Sequence, residues 1–169
     1  MTKSILRKYA KLIVQMGVNI KKGQGAVILA DTAQSEIAMM VAEEAYRAGA
    51  KWVDIRWTNQ DLDKMRYKKE SVKVLSATQE WEKARMQYEL DELPVRIWID
   101  SDDPDGLKGV NVEKMQKANL ARMKVRKPYR DAMENKYQWT IVAVPSAKWA
   151  KKVFPNDRTS VAVKKLWDA

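Results

Sequence analysis

Apolar and polar residues follow two different periods along the chain, and each period predicts one kind of secondary structure. Over residues 4–16 the apolar side chains recur at helical spacing, and Gly17 suits the position just beyond a helix end. Residues 26–30 form an unbroken apolar run of strand length, which is typical of a strand buried on both faces of a sheet.

A second amphipathic helix is predicted over residues 33–48. Its candidate caps are Thr32 or Ser35, and Gly49 is placed to end it. Residues 52–57 then read as a strand, so the chain passes from strand to helix to strand. This order is that of a βαβ unit, which predicts parallel pairing.

The same alternation continues to the end of the chain. Residues 70–77 are ambiguous, and Pro128 either kinks the basic helix or begins a new one. The other predicted elements are helices over 60–69, 79–92, 112–126, 129–136, 146–152 and 158–169 and strands over 94–100 and 139–144. The fold class is therefore α/β: a three-layer α/β/α domain with a mostly parallel sheet of at least four strands. No linker or repeat divides residues 1–169, so they are expected to form a single domain.

The sequence also predicts how three groups of large side chains are placed. The polar helix over 79–92 is expected to be anchored by its apolar residues, which are Trp81, Met86, Tyr88 and Leu93. Core packing is expected to account for most of the tryptophans in predicted strands, which are Trp52, Trp57, Trp98 and Trp139. One or more of the helical tryptophans (Trp81, Trp149 and Trp167) is a candidate for contact with a partner.

Composition limits the chemistry more than it limits the fold. The 169 residues include no His and no Cys, so neither imidazole nor thiolate is present to act as nucleophile, base or metal ligand. The 32 Lys and Arg against 22 Asp and Glu give a net charge of +10. The excess lies at both ends of the chain, and it fits either solvated helix faces or a surface for nucleic acid. No helix-turn-helix, KH or RNP-like signature accompanies it.

Three local motifs are candidate sites. Gly23-Gln24-Gly25 begins like a dinucleotide motif, but it precedes a strand and has Ile28 at the third glycine position, so it predicts a turn. The segment Asp100–Gly106 is the densest run of carboxylates. It does not fit an EF-hand loop, because Val112 occupies the twelfth position, and it reads as an Asx-rich turn or a weak Ca²⁺ or Mg²⁺ site.

The third candidate is a group of lysines after the fourth predicted strand, Lys148, Lys151 and Lys152. They read as a solvated face or as a site for a small anion. The apolar stretch over residues 12–18 is too short for a signal peptide or a membrane span, which predicts a soluble, cytoplasmic protein.

The chain resembles the N-terminal part of the thermophilic-type metallo-aminopeptidases, the family of aminopeptidase T, aminopeptidase S and PepS. The resemblance is collinear over essentially the whole chain. It rests on the stretches Leu6–Val14, Gly17–Gln24, Ala42–Trp57, Asp102–Asp105, Leu107–Val110, Trp139–Pro145, Trp149–Pro155 and Leu166–Trp167.

The resemblance implies a parent protein that is a cytoplasmic, dimeric exopeptidase acting on peptides. It implies two divalent metal ions, zinc or cobalt, held in a C-terminal domain beyond residue 169. No catalytic residue or metal ligand of the family then falls within this chain. The chain can contribute only a wall of the cleft or an interdomain contact, and the resemblance assigns no substrate-binding residue to it. The apolar pair Leu166-Trp167 just before the last two residues, Asp168 and Ala169, fits a chain cut from a longer one.

Three hypotheses therefore remain. The chain is an N-terminal aminopeptidase domain that is inactive alone, a separate basic module for nucleic acid, or an α/β domain for a small anion.

Overall fold

The computed structural model describes residues 2–169. They form two compact units. The first unit comprises residues 2–59, Pro94–Asp105 and Gln138–Ala169, and the second comprises Gln60–Leu93 and Gly106–Tyr137. The helices are α1 (Lys3–Leu12), α2 (Ser35–Arg47), α3 (Gln60–Lys69), α4 (Val72–Ser76), α5 (Glu80–Glu92), α6 (Val112–Met133), α7 (Ala147–Val153) and α8 (Thr159–Asp168).

The first unit is built on a four-stranded sheet. Its strands are β1 (Gly25–Asp31), β2 (Trp52–Thr58), β3 (Val95–Asp100) and β4 (Trp139–Ala143). All pairings are parallel, and the strand order is β2-β1-β3-β4. Ile28 in β1 lies between Ile55 of β2 and Ile97 of β3, which fixes the register at the centre of the sheet. The α/β fold class and the parallel sheet are confirmed.

One face of this sheet carries the main apolar core of the unit. Alternate residues of the two central strands point to that face and are almost completely buried; they are Ala26, Ile28, Ala30, Val95, Ile97 and Ile99. They pack in one cluster with Ile13 and Val14 from the turn that follows α1 and with Ile37 and Val41 from α2. The apolar stripes predicted from the sequence therefore meet each other here.

The ends of the first two helices differ in detail from the prediction. The first helix passes into a π-helical turn over Ile13–Gly17, and Asn19, not Gly17, takes the left-handed conformation with φ of 44°. A 3₁₀ turn precedes α2, and it is capped by Asp31, whose carboxylate accepts the Ala33 amide at 2.8 Å. Neither Thr32 nor Ser35 is the cap, whereas Gly49, with φ of 99°, ends the helix as predicted.

The last two helices, α7 and α8, also belong to the first unit. Trp167 in α8 meets the Tyr9 ring of α1 edge to face, with ring centres 5.7 Å apart. The Tyr9 hydroxyl donates to the Ala143 carbonyl at the end of β4, and burial raises the pKa of this phenol. The C-terminal helix is thereby attached to the same core as the first helix.

The second unit is entirely helical. The ambiguous segment over 70–77 contains the short helix α4, which is capped by the Ser71 hydroxyl. The basic segment forms one continuous helix, α6, so the alternative of a new helix beginning at Pro128 is wrong. None of the helices among residues 2–169 is long and apolar enough to cross a membrane.

The anchors predicted for α5 are wrong for two of the four residues. Trp81 is 61% exposed and Tyr88 is 48% exposed, while Glu82 and Glu89 are buried. Glu82 can be buried because Arg122 neutralises its charge and its oxygens accept hydrogen bonds. It accepts hydrogen bonds from the Gln79 amide at 2.9 Å and from Arg122 at 2.6 Å.

Candidate functional site at the carboxyl edge of the sheet

The strand order of the first unit creates a switch point between β1 and β3. The chain leaves β1 toward β2 on one side, whereas β3 and β4 lie on the other side. In parallel sheets of this type, ligands bind in the crevice beyond the carboxyl ends of the strands at such a point. Here those ends are Asp31 and Asp100, followed by the buried Ser101.

The acidic segment after β3 forms turns that use its own carboxylates. The Asp100 side chain accepts the Asp102 amide at 3.4 Å, and the Asp103 side chain accepts the Asp105 amide at 2.9 Å. These bonds are those of Asx turns, as the composition predicted. Among residues 2–169, no three His, Cys, Asp or Glu side chains are grouped so that they could hold a metal ion.

The structure brings the acidic turn and one of the candidate lysines together. Because β3 and β4 are parallel neighbours, Asp100 pairs with Ala143, and the segments that follow both strands lie at the same edge. The Lys152 ammonium contacts the Asp105 carboxylate at 2.6 Å. This hydrogen bond, with added attraction from Asp105 and Asp103, raises the pKa of Lys152.

The lysine group does not form an anion site as a set. Lys151 donates to the carbonyl oxygens of Pro155 and Asp157, each at 2.6 Å, so it closes the turn after α7. Lys152 already faces a carboxylate. Two of the three lysines therefore hold the fold together at this edge, which counts against the small-anion hypothesis at this place.

The glycine motif before β1 is a turn, as predicted. Gly23 has φ of +87°, which favours glycine, and its amide donates to the Gly49 carbonyl. The Gln24 side chain accepts the Lys21 amide at 2.7 Å and so closes the turn. The segment is therefore a tight turn that leads into β1.

The tryptophans are less buried than the core-packing interpretation requires. All four predicted strand tryptophans do lie in strands, but Trp57 is 45% exposed and Trp139 is 58% exposed. Both belong to the outer strands β2 and β4, where one side of the strand has no neighbouring strand. Trp98 and Trp139 meet edge to face, with ring centres 6.4 Å apart.

One feature of the second unit was missed from the sequence. Arginines recur every fourth residue along α6, at Arg122, Arg126 and Arg130, and they line a groove of about 350 Å³. The i, i+4 spacing is visible in the sequence and predicts that the three side chains share one helix face. The total charge of the basic helix, on which the sequence prediction rests, does not reveal this arrangement.

Comparison with known proteins gives a consistent result over the whole chain. A sequence profile of the thermophilic metalloprotease (M29) family matches residues 2–169. Aminopeptidase PepS of Streptococcus thermophilus is 34% identical over 168 residues, and aminopeptidase AmpS of Bacillus subtilis is 32% identical over 164 residues. These alignments cover 98% and 96% of this chain but only 41% and 40% of the two relatives.

A solved structure agrees with the sequence comparison. Wild-type AmpT from Thermus thermophilus superposes with a TM-score of 0.87 at 30% sequence identity, covering 98% of this chain and 42% of that one. The chain thus spans about two fifths of the length of the proteins that it matches. Since the family profile and the structural match both extend over nearly all of its residues, the chain belongs to the thermophilic metalloprotease family M29.

Proposed function

We propose that this chain is the N-terminal domain of a metal-dependent aminopeptidase that removes N-terminal residues from peptides. The observation that carries the proposal is the family match over residues 2–169, together with relatives that are named aminopeptidases. In this proposal the catalytic site lies in the part of the longer protein that the chain does not span. The parent is further proposed to be a cytoplasmic homodimer that uses two divalent ions, zinc or cobalt.

The side chains of this portion do not fit the metal site that such chemistry needs. Hydrolytic metal sites use imidazole and carboxylate ligands, and the chain has no His. No suitable group of three acidic side chains occurs among residues 2–169, and the carboxylates of the acidic turn accept backbone amides. We therefore assign no step of peptide hydrolysis to these residues. Their role in the proposal is to form a stable α/β domain that supports the catalytic part.

An activity assay tests the proposal directly. The 169-residue chain and a chain extended along its own reading frame are purified and assayed on aminoacyl p-nitroanilides with Zn²⁺ or Co²⁺. The extended chain is expected to show metal-dependent turnover that is lost on chelation. The 169-residue chain is expected to release no more nitroaniline than the metal in buffer does, because it lacks the ligands.

Two results would contradict this proposal. Robust metal-dependent turnover by the 169-residue chain would show that the site lies within it. An extended reading frame that stops soon after Ala169, or that contains no stretch rich in Glu, His and Asp, would remove the proposed catalytic part.

A further inference from the structure

The arginines of α6 form a basic groove on the second unit. Four residues of helix advance about 6 Å along the axis, so Arg122, Arg126 and Arg130 are spaced along one face at that interval. The groove, of about 350 Å³, is called here the arginine groove, and its lining consists of Asn119, Arg122, Met123, Arg126, Lys127 and Arg130.

The first of these arginines is held firmly in place. Arg122 donates to the Ala77 carbonyl at 2.7 Å and to the Glu82 carboxylate at 2.6 Å, and its side chain is only 21% exposed. A guanidinium has five N–H donors, so about three remain after these two bonds. Arg122 therefore presents a fixed positive group at one end of the groove, without the entropy cost of ordering a mobile side chain.

The positive charges of the groove exceed its negative ones. Glu82 is already bound by Arg122, and Asp131 is shared between Lys127 and Arg130. Arg126 makes no hydrogen bond or ion pair with any of residues 2–169. Desolvation, followed by repulsion from Arg122 and Arg85, lowers the pKa of Arg126, although Glu82 partly opposes this effect. The side chain thus lies in a positive environment that an added anion would relieve.

The lining also distinguishes between classes of anion. Proteins that bind single-stranded nucleic acid use aromatic side chains on which the bases stack. The arginine groove has no aromatic lining residue, and apart from Met123 its lining consists of polar and cationic side chains. Guanidinium groups form paired hydrogen bonds with phosphate oxygens. The backbone positions of Arg126 and Arg130 are about 6 Å apart along the helix axis, so two neighbouring guanidinium groups on one face suit a ligand with two linked phosphoryl groups better than a single phosphate.

We propose that the arginine groove is a binding site for the diphosphate group of a small molecule, with Arg126 and Arg130 as its main ligands and Arg122 as its fixed end. Free pyrophosphate and the diphosphate of a nucleotide share this chemistry. This site is independent of the aminopeptidase proposal, since its lining residues all belong to α6, its fixed end is held by other residues of the second unit, and it would exist whether or not the longer protein hydrolyses peptides.

The test is a titration of the 169-residue chain with inorganic pyrophosphate, followed by two-dimensional NMR and by calorimetry. Saturable binding is expected, with the largest amide shifts between Asn119 and Arg130. Arg126→Gln is expected to weaken the affinity about tenfold, which corresponds to about 1.4 kcal/mol. Arg126→Lys keeps the charge but loses the planar guanidinium group. Its affinity for pyrophosphate is expected to lie between that of Arg126→Gln and that of the unchanged chain.

Lys124→Gln is the matched control, because it removes one exposed charge from the same helix outside the groove lining. It is expected to change the affinity less than twofold, and each variant is first checked for an unchanged NMR spectrum away from its own position. Titrations with ADP and citrate identify the chemistry. Binding of ADP at the same amides supports the diphosphate assignment, whereas equal binding of citrate overturns it.

Three further results overturn the proposal. One is the absence of saturation at about 10 mM pyrophosphate, a concentration well above those at which ordinary metabolite sites fill. Another is an equal loss of affinity in Lys124→Gln and Arg126→Gln, which would show attraction by net charge alone. The third is tight binding of a single-stranded RNA without binding of pyrophosphate.

Discussion

Replacing Glu82 with glutamine is expected to lower the free energy of unfolding by about 3 kcal/mol at pH 7, since it leaves Arg122 as a largely buried charge without a counter-ion. Glu82 is only 9% exposed, and Arg122 holds it at 2.6 Å. Glutamine retains an oxygen that can accept the Gln79 amide, so the helix cap is preserved. Most of the loss then reports the ion pair, and it is measured by urea unfolding followed by circular dichroism.

The same pair gives a pH dependence with a definite sign. Burial, the largest single influence, would raise the pKa of Glu82, but the hydrogen bonds from the Gln79 amide and from Arg122, with the positive charges of Arg122 and Arg126, together outweigh it. The pKa is therefore lowered in the folded state from its usual value of 4.5. A carboxyl group of this kind stabilises the fold above its unfolded pKa and loses that contribution as the pH falls through the folded pKa. The difference between the natural chain and Glu82→Gln should hence be constant near neutral pH and shrink below about 4.5.

Glu80→Gln is the control, because it removes the same charge from the same turn at a side chain that is 87% exposed. Its unfolding midpoint is expected to match that of the natural chain within error, as is usual for exposed ion pairs. Equal stability of Glu82→Gln and Glu80→Gln would contradict the account of the Glu82–Arg122 pair.

The strands of the sheet were well predicted from the sequence, because a run of apolar residues of strand length indicates a buried segment. Residues 26–30 are a continuous apolar run, and residues 94–100 are mostly apolar but include Arg96 and end at Asp100. These segments form the two central strands, β1 and β3. The same reasoning could not predict which of the strands lie at the edges of the sheet, because strand order depends on crossovers between distant segments. Trp139 was consequently expected in the core, although its strand lies at the edge of the sheet.

The second unit was harder to predict, because polar residues decide part of its packing. In α5 the pattern of apolar side chains pointed to Trp81, whereas the buried positions include Glu82 and Glu89. A carboxylate is buried only when a partner neutralises it, and the partner of Glu82 is forty residues away in sequence. A pattern within one helix carries no information about such a partner.

The sequence identified the residues of the candidate site but not the contact between them. The acidic turn after β3 and the lysines after β4 were recognised as separate groups. Their meeting at Asp105 and Lys152 follows from the parallel pairing of Asp100 with Ala143. Once the strand order is known, the contact is a direct consequence of topology, since the carboxyl ends of neighbouring parallel strands lie at one edge.

Replacing Gly25 with alanine is expected to destabilise the first unit by about 3 kcal/mol, the upper end of the usual cost of overpacking. Gly25 in β1 is paired with Trp52 in β2, and the indole ring covers the glycine. A Cβ atom built on Gly25 would lie 2.2 Å from the ring, which is far closer than atoms can approach. The glycine is thus required for the space it leaves, and its backbone is not in the left-handed region.

A double-mutant cycle with Trp52→Leu separates this clash from other effects of the substitution. Trp52→Leu removes packing and lowers stability by itself, but it also removes the ring that the added methyl group would meet. Adding Gly25→Ala to Trp52→Leu is then expected to cost less than about 1 kcal/mol, so the two changes should be non-additive by about 2 kcal/mol. Urea unfolding of the four proteins measures this coupling. Additive losses would contradict the close approach of Trp52 to Gly25, because the cost of the alanine would then arise from the strand and not from the ring.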